Sequence, residues 1–107
     1  MNLPSPIRAY FDADKSNAGV ALVHAFAPDA VVNDEGRSYA GRQAIGAWWR
    51  EAKAKYQHVI EPFEMHEVDD VTKVRARVTG QFQGSPATIT FMFRLKEDQI
   101  TGLDITA

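Results

Sequence analysis

Two different spacings of apolar residues follow one another along the chain. Up to about His58, apolar residues recur three and four positions apart, which is the period of a helix with one buried face. After His58 they recur at every second position, which is the period of a strand with one buried face. A first half of helices and a second half of strands favours the α+β class over the alternating α/β class.

The first two predicted helices each follow a candidate capping residue. The first begins at Ser5, whose side chain can accept a bond from a free backbone N–H, and Pro6 suits the first helical position. The second, AGVALVHAF, opens after a cap at Ser16 and Asn17 and stops before Pro28. Because it is apolar on most sides, we expect it to be well buried.

A third helix is predicted from about Arg42 to Tyr56, with an apolar stripe on one side and charged residues on the other. The stripe consists of Ile45, Trp48, Trp49, Ala52 and Tyr56. Adjacent helical residues point about 100° apart, so Trp48 and Trp49 cannot face the same way. One should belong to the core or a pocket wall and the other to the helix edge, and the sequence does not say which.

Strands account for the remaining apolar pattern. A short strand is predicted over residues 30–34, with a turn or short extended segment from Gly36 to Gly41. Later strands surround a turn at QGSPA, end with Ile100 to Ile105, and are most simply joined as an antiparallel meander. By alternation their inner face carries Val74, Ala76, Val78, Ile89, Phe91, Phe93 and Leu95.

Composition narrows the classes of function. The 107 residues fit one domain, 1–107, and a net charge of −2 argues against binding to nucleic acid or to an anionic membrane. The absence of cysteine excludes disulfides, thiolate catalysis and cysteine metal sites. No apolar run approaches the ~18 residues of a membrane span, and the first residues do not form a signal peptide. We therefore expect a cytoplasmic protein.

Three segments stand out beside the order of the elements: YFDADKSNAGVALVHAFAPDAVVNDEG, YAGRQAIGAWW and TFMFRLKEDQITGLDI. With these segments the chain resembles the nuclear transport factor 2-like superfamily and, within it, the SnoaL-like proteins. The resemblance touches most of the chain. It implies three N-terminal helices packed on a curved, mixed or antiparallel sheet that forms a cone around an internal pocket. It does not imply one activity, because the superfamily contains isomerases, cyclases, dehydratases, hydrolases and proteins without chemistry.

Comparison with ketosteroid isomerase of this superfamily implies two catalytic candidates. Tyr10 matches a helical tyrosine that helps to hold the developing oxyanion, and Asp34 matches a strand-end aspartate that acts as general base. That enzyme's second oxyanion donor is a protonated aspartate on a late strand, and Phe91 stands at the matching position here. Loss of one such donor typically costs ~3 kcal/mol, which argues against steroid isomerisation itself.

Strand parity gives Asp34 two interpretations. If Val32 faces the interior, Asp34 faces it too, and a carboxylate among apolar residues would have a raised pKa and could act as a base. Alternatively, Asp34 belongs to a solvated turn or accepts backbone N–H bonds. Tyr10 could likewise be a packed core residue or a hydrogen-bond donor to substrate.

The histidines give a third catalytic candidate. His24 lies on the second helix and could border the pocket beside Tyr10 as an acid or base, although most buried histidines are satisfied core residues. The spacing of His24, His58 and His66 does not indicate a metal site, and we expect no metal and no cofactor. The predicted pocket wall is apolar and consists of Val32, Trp48, Tyr56, Val78, Phe82, Phe91 and Phe93.

Two functions remain open. The first is a cofactor-free isomerase, cyclase or dehydratase that uses Asp34 as general base on a small apolar carbonyl compound. The alternative is a non-catalytic ligand-binding or dimerisation module of the same fold. The predicted outer sheet face carries threonine, arginine and methionine, so a homodimer through this face is expected in either case.

Overall fold

The computed structural model describes residues 1–107. Its three helices are α1 (Ser5–Lys15), α2 (Gly19–His24) and α3 (Gly41–Tyr56). Its six strands are β1 (Phe26–Asp34), β2 (Arg37–Ala40), β3 (Val59–Val68), β4 (Val71–Thr79), β5 (Ala87–Lys96) and β6 (Gln99–Thr106). The predicted α+β class, with helices preceding most of the sheet, is confirmed.

One mixed sheet contains all six strands, in the order β2-β1-β6-β5-β4-β3. Strands β4 to β6 form the predicted antiparallel meander, and β3, which the sequence analysis did not predict, extends it antiparallel to β4. Strand β1 runs parallel to β6 and antiparallel to β2. The pairing shifts register between Phe26 and Val31, between Pro62 and Glu64, and between Arg94 and Leu95. Because such irregularities bend a strand and increase its twist, they suit a sheet that curves around the helices.

Aromatic side chains fill the space between α1 and the inner face of the sheet. Tyr10 meets Phe11, Phe26 and Phe93 edge to face, with ring centroids 5.2, 5.8 and 5.7 Å apart. Phe91 and Phe93, two positions apart on β5, lie on the buried face that alternation predicted. This cluster fixes α1 against the middle of the sheet and so determines where the residues of α1 point.

The helix starts differ from the sequence predictions. Helix α1 does begin at Ser5, but Pro4 is the N-cap residue and no side chain caps the helix. Helix α2 is shorter than predicted and follows Ala18 rather than a cap at Ser16 and Asn17. It is also less buried than its apolar sequence indicated, since Val20 keeps 75% of its surface exposed.

Strand β1 is longer than predicted and contains Pro28. It begins at Phe26, and the Arg42 side chain donates to the Phe26 carbonyl from Nε and Nη2, at 3.0 and 2.8 Å. The register shift after Phe26 allows a proline within the strand, because no regular ladder bond is required at a bulge. None of the three helices combines the length and apolar character that crossing a bilayer requires.

Candidate functional site

A cavity of about 320 Å³ lies between α1, α3 and the inner face of the sheet, beside the end of β1. Its apolar wall consists of Trp48, Trp49, Ala52, Ile60, Val78, Phe82, Ile89, Phe91 and Ile105. Its polar groups come from Tyr10, Asp34, Glu35, Tyr56, His58 and Gln83. A mostly apolar wall with a few polar groups is typical of sites for small organic ligands.

Asp34 is the last residue of β1, and its half-buried side chain faces the cavity. Its Oδ2 accepts a hydrogen bond from Trp48 Nε1 at 3.0 Å, whereas Oδ1 has no side-chain partner. Burial raises the pKa of the Asp34 carboxyl, and the charge of Glu35 adds to this effect, while the Trp48 N–H partly offsets it. The backbone N–H of Glu35 also lowers this pKa, but burial outweighs it, and a carboxylate with a raised pKa is a stronger base than an exposed aspartate.

The Tyr10 side chain reaches the same cavity from α1. The residue is 1% exposed, yet its hydroxyl has no hydrogen-bond partner in the chain and no buried polar side-chain atom is left unsatisfied, so this hydroxyl opens to the cavity. Burial, together with the negative charges of Asp14 and Asp34, holds the pKa of Tyr10 well above its usual value. Tyr10 therefore stays neutral and keeps a proton to donate to a ligand oxygen.

A second carboxylate, Asp14, lies behind the cavity wall and is almost completely buried. Its Oδ2 accepts from Trp49 Nε1 and bonds His58 Nε2, both at 2.8 Å, and its Oδ1 accepts from Lys53 Nζ at 3.1 Å. Burial alone would raise the pKa of Asp14, but the bonds from His58 and Trp49 and the nearby positive charges outweigh it and lower the pKa. Asp14 is therefore an anion with fixed partners.

The structure places the three predicted catalytic residues differently. Asp34 and Tyr10 face one cavity, close enough for the charge of Asp34 to act on Tyr10. His24 does not: it ends α2 on the protein surface and is absent from the cavity wall. The prediction that His24 borders the pocket is thus corrected, because α2 is too short and too exposed to carry its last residue inward.

The predicted pocket wall divides into two groups. Trp48, Tyr56, Val78, Phe82 and Phe91 line the cavity. Val32 and Phe93 do not line it, although both are completely buried on the predicted face. The parity argument identified their side of the sheet correctly, but the cavity occupies only one end of that side and the aromatic core fills the rest.

Several residues at the site were not identified by the sequence analysis, although Asp14, seven positions after Ile7, continues the buried face of α1. His58 and Asp14 lie far apart in the chain and come together only because α1 and the start of β3 pack side by side. Glu35, on the turn after β1, accepts a bond from the Tyr56 hydroxyl at 3.3 Å. Gln83 enters the cavity wall from the turn between β4 and β5. Loop residues of this kind carry no periodicity that would predict their direction.

Comparison with known proteins gives a family and a set of similar folds. Residues 7–103 match the model of the SnoaL-like domain. The crystal structure of a proposed polyketide cyclase from Sinorhizobium meliloti is 46% identical to the chain and has a TM-score of 0.94, over 97% of this chain and 95% of that one. No curated protein sequence matches the chain significantly.

More distant solved structures share the fold alone. A hypothetical protein from Catenulispora acidiphila with a ketosteroid isomerase-like fold, crystallised with trimethylamine, is 20% identical with a TM-score of 0.85, over 99% of this chain and 87% of that one. A second proposed polyketide cyclase, from Xanthomonas campestris, is 17% identical with a TM-score of 0.79, over 94% and 85% of the two chains.

Proposed function

The chain belongs to the SnoaL-like family, and from that premise we propose that it is a cofactor-free enzyme that moves a proton on carbon next to a carbonyl group. Isomerisation, cyclisation and dehydration are the reactions of this type. The observation that carries the proposal is the placement of a half-buried carboxylate, Asp34, and an unpartnered phenol, Tyr10, on one apolar cavity.

In the proposed reaction, Asp34 removes the proton through its carboxylate, which the hydrogen bond from Trp48 to Oδ2 holds in place. The electron pair of the broken C–H bond moves toward the carbonyl oxygen, which accepts a hydrogen bond from the Tyr10 hydroxyl. Charge develops on that oxygen against a mostly apolar wall, where a fixed hydrogen-bond donor is more effective than in water.

The proposed substrate is a small, largely apolar carbonyl compound. Phe91 occupies the position where the comparison with ketosteroid isomerase expects a second donor, so the oxyanion receives less support. A carbon between two carbonyl groups loses its proton more easily than a carbon beside a single carbonyl group. A substrate of this kind therefore depends less on a second oxyanion donor. The relative from Sinorhizobium meliloti carries the name of a polyketide cyclase, which supports a substrate with several carbonyl groups.

Exchange of carbon-bound protons tests the proposal without a known substrate. β-Tetralone, an apolar bicyclic ketone, exchanges its α-protons for deuterium in deuterium oxide, and proton NMR follows the exchange. We expect the protein to accelerate it and Asp34→Asn to reduce the acceleration at least ~100-fold, as is usual when a general base is removed. Asp29→Asn, at an exposed position outside the cavity, is the matched control.

Two outcomes contradict the proposal: an unmodified protein that exchanges β-tetralone no faster than buffer, or an Asp34→Asn variant as active as the original. Binding of the ketone without exchange would support the alternative of a non-catalytic ligand-binding module. Two features favour this alternative. Trp48 already occupies one oxygen of Asp34, and Phe91 stands where a second oxyanion donor is expected.

A further inference from the structure

His58 lines the cavity and bonds the buried carboxylate of Asp14, but it has no role in the reaction proposed above. It lies between α3 and β3, and its side chain is largely buried, with 12% of its surface exposed. Its Nε2 lies 2.8 Å from Asp14 Oδ2, whereas its Nδ1 has no hydrogen-bond partner in the chain. Since no buried polar side-chain atom is unsatisfied, Nδ1 is accessible to a ligand or to water.

Asp14 determines which nitrogen of His58 carries the proton in the neutral ring. Because its pKa is lowered, Asp14 is a carboxylate at neutral pH and can only accept hydrogen bonds. Nε2 must therefore be the donor, and Nδ1 is left as the atom that gains or loses a proton. Trp49 and Lys53 hold the carboxylate from other directions, so the ring has little freedom to turn.

His58 also lies between two spaces. It lines the internal cavity, together with Trp49, and both residues line an open groove on the outer surface beside Lys15, Arg50 and Gln57. A side chain in this position can exchange protons with solvent on one side and with a cavity ligand on the other. Neither Tyr10 nor Asp34 lines the outer groove.

We infer that His58 is a second acid–base residue of the site, positioned by Asp14, and that it protonates the substrate's carbonyl oxygen and is reprotonated from the outer groove. This inference rests on the proposed function and assigns to His58 the role that the sequence analysis considered for His24. Asp14 touches only protein groups and is a positioning residue.

The proton balance of the step is complete. Asp34 takes the proton as the C–H bond breaks, and that electron pair forms a carbon–carbon double bond. The carbonyl π pair takes the Nδ1 proton of the imidazolium, which gives an enol, a protonated Asp34 and a neutral His58. Direct return of the Asp34 proton to another carbon completes isomerisation, whereas exchange requires that solvent first replace the proton on Asp34 and that the new one return to the same carbon. In both cases the enol proton passes to His58.

Other titratable groups surround His58 and enter any pH dependence. They are Tyr10 and Asp14 of α1, Lys53 and Tyr56 of α3, and Asp34 and Glu35 at the end of β1. Tyr10 stays neutral because its pKa is well above the usual value. The acceleration should therefore rise with pH as Asp34 ionises.

Imidazole nitrogen NMR of the protein, with β-naphthol as a stable enol analogue, tests the position of His58 independently of turnover. We expect the free protein to show the neutral ring protonated at Nε2, and β-naphthol to shift the Nδ1 signal of His58. Asp14→Asn should return the ring to a mixture of the two neutral forms. A ring protonated at Nδ1, or a signal unaffected by bound naphthol, would overturn the inference.

Exchange of β-tetralone by variants then separates the two hypotheses. His58→Gln keeps an N–H donor for Asp14 but cannot pass a proton to the substrate and take it back, so we expect an acceleration ~100-fold lower. His66→Gln, at an exposed histidine, should retain the full acceleration. An unchanged acceleration in His58→Gln, with Asp34→Asn inactive, contradicts only the role of His58. Absence of exchange by the unmodified protein contradicts the proposed function.

Discussion

Trp48 and Trp49 are adjacent in α3, yet their indole N–H groups donate to two different carboxylates, one that lines the cavity and one that lies behind its wall. Trp48 Nε1 reaches Asp34 Oδ2 at 3.0 Å, and Trp49 Nε1 reaches Asp14 Oδ2 at 2.8 Å. The angle of about 100° between adjacent helical residues makes this division possible. Helix α3 thus holds the carboxylates of both Asp34 and Asp14. Substitution of one tryptophan removes one of the two hydrogen bonds and leaves the other.

Trp48→Phe should raise the pKa of Asp34. The substitution keeps an aromatic ring in the wall but removes the N–H bond that lowers this pKa, so burial acts with less opposition. Carbon NMR of the carboxyl groups against pH would measure the change. Trp49→Phe is the matched control: it should raise the pKa of Asp14 and leave that of Asp34 in place. Equal effects of both substitutions on Asp34 would contradict separate hydrogen bonds.

Asp14→Ala should lower the free energy of unfolding at neutral pH by about 3 kcal/mol, because it leaves two N–H groups and the Lys53 ammonium without their buried acceptor. Chemical denaturation would measure this. Asp12→Ala, at an exposed position of α1, should change it by less than about 0.5 kcal/mol.

The pH dependence of this difference has a definite sign. The pKa of Asp14 is lower in the folded chain than in the unfolded chain. The stability that its ionised form contributes is therefore complete above the pKa of the unfolded chain, and it is lost as pH falls through the pKa of the folded chain. The cost of Asp14→Ala should therefore shrink in acid. A cost that grows as pH falls would contradict the ionised, bonded carboxylate.

Asp34→Asn should increase the free energy of unfolding at neutral pH. Burial raises the pKa of Asp34 in the folded chain above its value in the unfolded chain. As pH rises between these two values, Asp34 ionises more readily in the unfolded chain, so its ionisation lowers the free energy of unfolding. An amide oxygen still accepts from Trp48, and the gain should vanish in acid, where Asp34 is protonated in both states. Urea titrations at acidic and neutral pH would measure both values, and a loss of stability at neutral pH would contradict the raised pKa.

Gly80→Ala should destabilise the fold by about 1–3 kcal/mol and disturb His58. A Cβ at Gly80 would lie 2.6 Å from the Tyr56 carbonyl oxygen and 3.1 Å from the His58 Cα, and backbone atoms cannot easily move away. Gly102→Ala is the matched control, since its nearest heavy atom would be 3.7 Å away, at ordinary contact distance. Chemical denaturation and the NMR response of His58 to β-naphthol would report both effects. Equal stability of the two variants would contradict the tight approach at Gly80.

A homodimer through the outer face of the sheet remains our proposal for the assembly. Phe63 keeps 51% of its surface exposed on β3, and the Arg75 guanidinium lies over its ring at 5.3 Å. Burial of such a patch against a second copy would stabilise a dimer. We expect sedimentation to show a dimer at micromolar concentration and Phe63→Glu to weaken it. A monomer throughout that range would exclude this assembly.

The site itself was only partly predictable. The position of Asp34 followed from the alternation of β1, and that of Tyr10 from the helical spacing of Ile7, Tyr10 and Phe11. The prediction that His24 borders the pocket was wrong. An apolar sequence predicts that a helix is buried, but it does not predict where a short helix ends or which way its last residue points. His58 follows α3 outside any periodic element and gave no directional signal.

The sequence by itself determined the three helices, the antiparallel course of the last three strands and the inner faces of β4 and β5. These features follow from the spacing of apolar residues along a few neighbouring positions, which the backbone period converts directly into a face. Only the tertiary structure decided that Asp14 meets His58 and that two adjacent tryptophans serve two carboxylates. Such pairs join residues far apart in the chain, so they depend on how α1 and α3 pack against the curved sheet.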